Sequence, residues 1–383
     1  MSLMTYKSIS ELTTVVTGGT PSTSISEYWD NGDIPWLQSG CCQNCDVEKS
    51  DKYITQLGFK NSSAKMMPPD TIMIALTGAT AGKVGYLKFN ACGNQSITGI
   101  LPCDDIDPKY LFYFLLAKRP QILSDCIGGA QPHISQGYVK NIKIPFFSLE
   151  NQKEISNTLS TVNKIIEIRK QQLAKFDELV KARFVEMFGD PESNAKEWTK
   201  DILSNHLDVV GGYAFKSDLF LEDGIPVLRI GNINAGYFQS TNMVYWKHDG
   251  SLSRYMMYPG DLVMSLTGTV GKDDYGNVCI LGDDYNCYYL NQRNAKLELF
   301  QSLNKYYLSQ VLKFSAVKKK LTGISRGVRQ ANISNKDILN LEIPIPPIEL
   351  QNQFATFVKQ VDKSKFYVLA YIDKIQLIKG DFI

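Results

Sequence analysis

Two long stretches of the chain carry large apolar residues at alternating steps of three and four, with polar residues between them. This spacing is typical of a helix that packs along one seam. The first stretch covers residues 152–188, and the second follows residue 349. Arg169 and Arg183 interrupt the first seam, and Lys365 interrupts the second. The predicted seams are Ile155, Leu159, Val162, Ile166, Leu173, Phe176, Val180 and Met187, and then Phe354, Val358, Val361, Val368, Ile372 and Ile375.

The same short motif precedes both helical stretches. Residues 144–152 and 343–351 each open with Ile-Pro and end with Glu-x-Gln, and Pro344 follows Pro145 by 199 residues. A repeat of this length indicates that a whole domain has been duplicated together with its helix. We therefore expect the two helices to pack antiparallel and bury both seams, with the second, which runs nearly to the last residue, the shorter. The alternative is that each helix folds back on its own domain.

Mixed patterns fill the segments before each motif. Short β-type runs at residues 34–37 and 71–77 lie between turn signals, and Asp107 with Pro108 predicts the start of a helix that ends at Pro120. The second half repeats these markers in the same order. We therefore expect an α+β fold with pseudo-two-fold internal duplication, in which two globular domains are joined by two long antiparallel coiled-coil helices.

The composition is that of a folded protein, because 44% of the 383 residues are hydrophobic and 21% are charged. The net charge is only +2, so a surface for nucleic acid would depend on local clustering. Eight cysteines without a secretory signal favour reduced thiols and a cytoplasmic location, and Cys42 with Cys45 lacks the further pair that a structural zinc site requires. No apolar run approaches the ~18 residues of a membrane span. The three residues before Met4 are interpreted as a cloning remnant.

Two glycine-lysine loops, residues 78–83 and 268–272, resemble phosphate-binding loops only superficially. A P-loop has four residues between its last two glycines and a hydroxyl after its lysine, and both loops lack these features, so we expect tight turns instead. No dinucleotide-binding motif is visible. His133 is the one histidine in a repeated marker, and Asn332 replaces it in the second half. We expect no catalysis, no metal and no cofactor in this chain.

Binding signals are clearer, because basic and amide side chains cluster at equivalent loops of both halves. Such side chains contact phosphates and read base edges. The alternative is that they are ordinary solvated loop residues. The predicted DNA-binding residues are Lys83, Lys118, Arg119, Gln131 and His133 in the first half, and Arg229, Asn232, Lys272, Lys318, Lys319, Lys320, Arg326, Arg329 and Gln330 in the second.

These features together resemble the DNA specificity subunit of type I restriction–modification systems. The resemblance rests on the doubled motif with Glu150 and Gln152, and with Glu349 and Gln351, and on residues 266–272. It covers residues 6–378. Residues 146–147 are both phenylalanine in the first copy, where the family usually has prolines.

The resemblance implies target-recognition domains at residues 4–149 and 191–348, each reading half of a bipartite, asymmetric site in double-stranded DNA. Residues 150–190 and 349–383 would then be conserved spacer helices that dock two modification subunits. Those partners would carry S-adenosylmethionine as methyl donor, and restriction subunits with motor and nuclease activity would join them. The alternative hypothesis is a coiled-coil interaction scaffold with two protein- or glycan-binding modules.

Overall fold

The computed structural model describes residues 5–125, 133–269, 274–323 and 330–381, and only the backbone of residues 330 and 377–381. The chain divides into two compact units. Unit 1 comprises Met1–Lys170 and Ala370–Ile383, and unit 2 comprises Gln171–Leu369. Both divisions fall inside long helices, so the domain boundaries expected at residues 149, 190 and 348 stay predictions. None of the described helices combines the length and the apolarity needed to cross a membrane.

Unit 1 consists of short strands and helices before its first long helix. In chain order these elements are β1 (Tyr6–Ser8), α1 (Ile9–Leu12), β2 (Val15–Thr17), β3 (Ile34–Leu37), β4 (Cys45–Val47), β5 (Tyr53–Ile54), α2 (Gln56–Lys60), β6 (Ile72–Ala75), β7 (Val84–Leu87), β8 (Cys92–Gly93), β9 (Ile97–Ile100), α3 (Pro108–Ser124), α4 (Gln136–Asn141) and β10 (Lys143–Pro145). Single 3-10 turns lie at Ser26–Tyr28, Ser39–Cys41 and Gly78–Thr80.

The main sheet of unit 1 has the strand order β2-β9-β6-β7-β4, and β4 alone runs parallel to its neighbour. Its central strand is buried on both faces. Ile72 and Ile74 pack with α3 on one side, whereas Met73 and Ala75 pack on the other side with Leu37. A second sheet, β5-β3-β8, contains a parallel pair, and β1 pairs with β10.

The helix α5 (Leu149–Phe188) leads into unit 2. The later elements are β11 (Lys200–Ile202), β12 (Leu207–Gly211), β13 (Ile225–Leu228), β14 (Val244–Trp246), β15 (Met256–Met257), β16 (Leu262–Ser265), β17 (Thr267–Thr269), β18 (Val278–Ile280), β19 (Tyr288–Leu290), β20 (Asn294–Leu299), α6 (Lys305–Lys313), α7 (Ser315–Thr322), β21 (Gln330–Asn332), α8 (Asn335–Leu339), β22 (Glu342–Pro344) and α9 (Ile348–Asp381). Its 3-10 turns are Leu203–Asn205, Ser217–Leu219, Ile230–Asn232 and Gly250–Tyr255.

Unit 2 repeats the strand order of unit 1. The sheet β12-β20-β16-β18 corresponds to β2-β9-β6-β7, and the parallel pair β13-β19 corresponds to β3-β8. The pair β11-β22 likewise corresponds to β1-β10. The strands predicted around residues 34–37 and at the repeated Ile-Pro markers are present in both units. The predicted α+β fold and its internal duplication are confirmed.

The long helices have the predicted seams and the predicted direction. In unit 2, Asp177 on α5 forms an ion pair with Lys365 on α9, with 2.5 Å between Oδ1 and Nζ. The ring centroids of Phe184 on α5 and Phe354 on α9 lie 5.5 Å apart. Because the residue numbers rise on one helix as they fall on the other, these parts of the helices run antiparallel. The described part of α9 covers 34 residues and α5 covers 40, and the expectation that the second helix is the shorter stays a prediction.

The helices also belong to the domain cores. Leu159 of α5 packs in the core of unit 1, whereas Phe184 and Phe188 of the same helix are buried in unit 2 among Tyr307, Phe314 and Phe354. The seam prediction did not include Phe184 or Phe188. Both proposed arrangements therefore contribute, because the helices bury each other and also pack against the domains.

The helix expected to end at Pro120 continues to Ser124 in α3. A proline inside a helix removes one hydrogen-bond donor. Here the turn that follows it is anchored by Ile122, whose side chain is fully buried in the core. In unit 2 the same segment is divided instead, because Phe314 adopts an extended backbone between α6 and α7.

Candidate nucleic-acid interface

The predicted glycine-lysine loop of unit 1 is a tight turn, as expected. Gly78 and Gly82 both have positive φ angles, of 70° and 71°, and the 3-10 turn Gly78–Thr80 lies between β6 and β7. Lys83 then donates to the Gln43 side-chain oxygen at 2.7 Å, and Gln43 donates to the Gly40 carbonyl at 2.8 Å. A lysine and an exposed amide are thus held together at the loop that follows β3.

Further basic groups lie beside this loop. The ideal Cβ position of Gly82 is 3.6 Å from Cγ of Arg119, and the Nε atom of Arg119 is buried with no hydrogen-bond partner among the described residues. Lys118 is exposed. His133 is also exposed, and its backbone forms a β-bridge with Thr77 at the start of the glycine turn. The structure therefore brings Lys83, Arg119 and His133 to one region of unit 1.

An acidic group, Asp125, lies at the end of α3, the helix that contains Lys118 and Arg119. Asp125 accepts hydrogen bonds from the Tyr138 hydroxyl at 2.7 Å and from the Gln121 amide at 2.8 Å. These bonds, with the nearby charge of Lys118, hold the pKa of Asp125 below its usual value. A carboxylate that stays ionised here repels phosphates, so it opposes the positive charge of Lys118.

In unit 2, Arg229 and Asn232 stabilise a loop. The Asn232 amide donates to the carbonyls of Gln239 and Thr241, each at 3.0 Å, and its oxygen accepts from the Arg229 backbone N–H at 2.9 Å. The Arg229 guanidinium donates to the Asn242 carbonyl. Asn232 is 3% exposed. Base readout by these two residues stays a prediction, and their observed contacts are all within the unit.

The three consecutive lysines of α7 differ in their surroundings. Lys318 is 8% exposed, and its ammonium donates to Asn277 at 2.7 Å, whereas Lys319 and Lys320 are exposed. Lys318 and Lys319 line a cleft of about 1210 Å³. Lys181, Lys313 and Lys365 also line this cleft, together with Asp177 and Asp362. Positive charge therefore exceeds negative charge along its described walls.

Several predicted DNA-binding residues lie outside the described residues: Gln131, Lys272, Arg326 and Arg329. For Gln330 only the backbone is described, and it pairs with Thr269 in the β17-β21 ribbon. Thr267 pairs with Asn332 in that ribbon, as Thr77 pairs with His133 in unit 1. The predicted equivalence of His133 and Asn332 is thereby confirmed at the level of the backbone.

Strand register identifies the residue of unit 2 that is equivalent to Lys83, which the sequence motif does not mark. Val84 pairs with Ile74 in unit 1, and Val278 pairs with Met264 in unit 2. The residue before each valine is Lys83 in one unit and Asn277 in the other. The register therefore makes Asn277 the counterpart of Lys83, while Lys272 lies outside the described residues. Sequence reasoning missed Asn277, since no glycine-lysine motif marks it.

The described residues contain no group of three or more His, Cys, Asp or Glu side chains placed to hold a metal ion. Cys42 is fully buried, Cys41 is half-buried and Cys45 is exposed. The Cys42 thiol donates a hydrogen bond that lowers the pKa of Cys41, while burial raises the pKa of Cys279 to about 12. The thiols therefore differ in reactivity, because the thiolate is the nucleophilic form.

Comparison with known proteins gives a consistent result. The family model described as the type I restriction modification DNA specificity domain matches the chain twice, at residues 1–177 and 196–372. The MjaIX specificity subunit of a type I restriction enzyme from Methanocaldococcus jannaschii is 29% identical, over 60% of this chain and 58% of its own length. The MjaVIII specificity subunit of the same organism is 26% identical, over 76% of this chain and 72% of its own length.

Solved structures share the fold at low sequence identity. The S subunit of a type I restriction–modification system from M. genitalium aligns with a TM-score of 0.54 and 17% identity, covering 99% of this chain and 95% of that one. A chain from a study of complex assembly and conformational transition of the type I R-M system aligns with a TM-score of 0.60 and 14% identity, covering 100% and 97%.

Proposed function

Because the chain belongs to the type I restriction–modification DNA specificity family, we propose that it selects the DNA target of a type I restriction–modification complex and catalyses no reaction itself. Each unit reads one half of a bipartite, asymmetric site in double-stranded DNA. The helices α5 and α9 dock two modification subunits, which bind S-adenosylmethionine and methylate the DNA. Restriction subunits with motor and nuclease activity join this complex for cleavage.

One observation carries the proposal: the two units share their sheet strands, but their loops carry different side chains. The main sheets of the two units share the order of four strands, and Thr77 and Thr267 pair with equivalent residues, His133 and Asn332. Their loops nevertheless present different side chains, such as Lys83 in one unit and Asn277 in the other. Two related surfaces with different chemistry fit two different half-sites, so the target is expected to be asymmetric.

The chemistry of the exposed side chains on α3, on α7 and in the loop after β3 suits DNA. Exposed lysines such as Lys118, Lys319 and Lys320 supply charge for phosphates, which fixes the position of the protein on the duplex without reading sequence. Amides such as that of Gln43 can read base edges in the major groove. Because the net charge of the chain is near zero, binding to DNA depends on local clusters of such lysines.

The long helices offer a surface for protein partners. In unit 2, Phe366, Tyr367 and Leu369 of α9 are exposed, with Phe366 at 66%, and Leu179 and Val185 of α5 are also exposed. Large apolar side chains on a helix that is already packed on its seam indicate a protein interface. This exposure supports docking of the modification subunits on the helices.

The test is selection of bound duplexes from a random DNA library by the full chain with its modification subunits, followed by sequencing. We expect two unlike half-sites separated by a constant number of unspecified base pairs. A palindromic motif would contradict the asymmetric reading. Absence of any enriched motif, with binding that does not weaken as salt is raised, would favour the interaction scaffold.

The role of the helices as a ruler has its own test. Seven residues inserted into α5 alone add about 10 Å of helix. We expect the selected spacer to change or binding to be lost, with both half-site sequences unaltered. An unchanged spacer would contradict the ruler.

A further inference from the structure

Each long helix begins at a junction built around a fully buried glutamine. In unit 1, Gln152 lies in the first turn of α5, and its side chain has no exposed surface. Its oxygen accepts the backbone N–H of Asp107 at 2.8 Å. Its nitrogen donates to the carbonyls of Asp105 at 3.1 Å and Phe147 at 2.9 Å. One side chain thus connects the helix, the preceding motif and the loop before α3.

Unit 2 contains the same junction. Gln351 of α9 is also fully buried, and its oxygen accepts the backbone N–H of Asn304 at 2.8 Å. Its nitrogen donates to the carbonyls of Ser302 at 3.2 Å and Pro346 at 2.7 Å. Asp107 and Asn304 are the N-cap residues of α3 and α6. The glutamine therefore connects the start of each long helix to the start of a core helix in the same unit.

A tyrosine completes each junction. The Tyr110 hydroxyl donates to the Pro145 carbonyl at 2.8 Å, and the Tyr307 hydroxyl donates to the Pro344 carbonyl at the same distance. These prolines end β10 and β22, the strands that pair with β1 and β11. The Ile-Pro motif is thereby fixed to its domain on both sides, before the long helix starts.

The chemistry of the junction requires glutamine. The amide supplies one acceptor and two donors, and all of them meet backbone groups. Glutamate would lose both donors, and asparagine is one methylene shorter. Because the partners are backbone atoms, the surrounding loop sequences can diverge while the junction geometry stays the same. This explains why two units with different loops keep the same contacts.

We infer that Gln152 and Gln351 are positioning residues that fix the angle between each recognition domain and the long helix that follows it. This inference rests on the proposed function and specifies what the glutamines contribute to it. A domain that is free to tilt on its helix presents its reading loops at a less defined distance from the other half-site. The two glutamines thereby determine how strictly the complex selects one spacer length.

The test uses Gln152→Met and Gln351→Met, which keep the side-chain volume and remove the hydrogen bonds. The full chain with its modification subunits binds duplexes carrying the selected spacer, or a spacer one base pair shorter or longer. We expect the preference for the selected spacer to fall by about tenfold in either variant, a factor equivalent to about 1.4 kcal/mol. The half-site sequences should remain the same. Gln353→Met, an exposed position on the same turn of α9, is the matched control.

A purely structural role would weaken binding to all three duplexes equally, and spacer preference like that of the unaltered chain would overturn the inference. Tyr110→Phe and Tyr307→Phe remove only a hydroxyl at the same junctions, so they decide the question if the methionine variants do not fold. If the unaltered chain selects no bipartite site, the proposed function fails and this inference fails with it. If it does select one, unchanged variants overturn the positioning role alone.

Discussion

The two units are most alike where they meet the long helices and most different where they carry positive charge. Their junction contacts agree in partner and in distance, from Gln152 and Gln351 to the two tyrosine hydroxyls. At the loops after β3 and β13, however, the 3-10 turn ends in Cys41 in unit 1 and in Asn232 in unit 2. The glutamine and tyrosine side chains of the junction bond to backbone groups, whereas the loops also contain pairs of side chains, such as Lys83 with Gln43.

This difference shows how a duplicated protein can change specificity without changing its framework. Backbone atoms are present whatever the sequence, so contacts to them tolerate substitution nearby. Side-chain contacts such as Lys83 to Gln43, or Lys318 to Asn277, change whenever either residue changes. The sequences of the two units therefore differ most in the regions that carry the predicted DNA-binding residues.

The largest expected effect concerns the aromatic cluster that joins α5 to unit 2. Phe184 is fully buried and contacts four aromatic rings at centroid distances of 4.9 to 5.5 Å. Phe184→Ala should lower the free energy of unfolding by about 3–5 kcal/mol, because it leaves a cavity. Urea unfolding measures this loss. Val185→Ala, at an exposed neighbouring position, should change it by less than about 0.5 kcal/mol. Equal losses in both variants would contradict the packing described.

A smaller effect is expected at the equivalent 3-10 turns. Asn232→Ala leaves the carbonyls of Gln239 and Thr241 without their donor, and it should cost about 1–3 kcal/mol of unfolding free energy. Cys41→Ala in unit 1 should cost less, because no backbone loop depends on that side chain. Thermal unfolding of the two variants measures the difference. A Cys41 variant as unstable as the Asn232 variant would show that the turns are equivalent in energy as well as in position.

The basic side chains should affect one half-site each. Lys83→Ala should weaken binding through the first half-site, and Lys319→Ala should weaken it through the second. Each should reduce the slope of log affinity against log salt by about 1, since each lysine removed is one phosphate contact fewer. Titrations of duplexes with one half-site scrambled separate the two effects. Loss at the same half-site in both variants would contradict the assignment of one domain to each half.

The smallest expected effect is on thiol chemistry. The pKa of Cys41 is lowered by the hydrogen bond from Cys42, whereas burial raises the pKa of Cys92 and of Cys279 to about 12. At pH 8, iodoacetamide should modify Cys41 before either buried thiol, and the rate should fall as the pH falls and the thiol becomes protonated. Mass spectrometry of digested protein identifies the modified residue, and Cys41→Ser is the control. Modification of Cys279 at the same rate would contradict the described burial.

Much of this architecture could be predicted from local patterns. The seam positions from Phe354 to Ile375 are all buried, as their spacing predicted. The N-cap at Asp107 and the strand at residues 34–37 are also present, because caps and β-type runs depend on neighbouring residues. The prediction failed at Pro120, where the buried Ile122 outweighs the proline, and it missed Phe184, whose partners come from distant segments.

The sequence by itself determined the duplication, the two long helices and the position of the motif between domain and helix, because periodicity and repetition can be read without knowing any contact. Only the tertiary structure decided what the motif does. The partner of Gln152 lies 45 residues away, and the partner of Gln351 lies 47 residues away. It also decided that Asn277 is the counterpart of Lys83, because register between strands, and not spacing along the chain, determines which residues are equivalent.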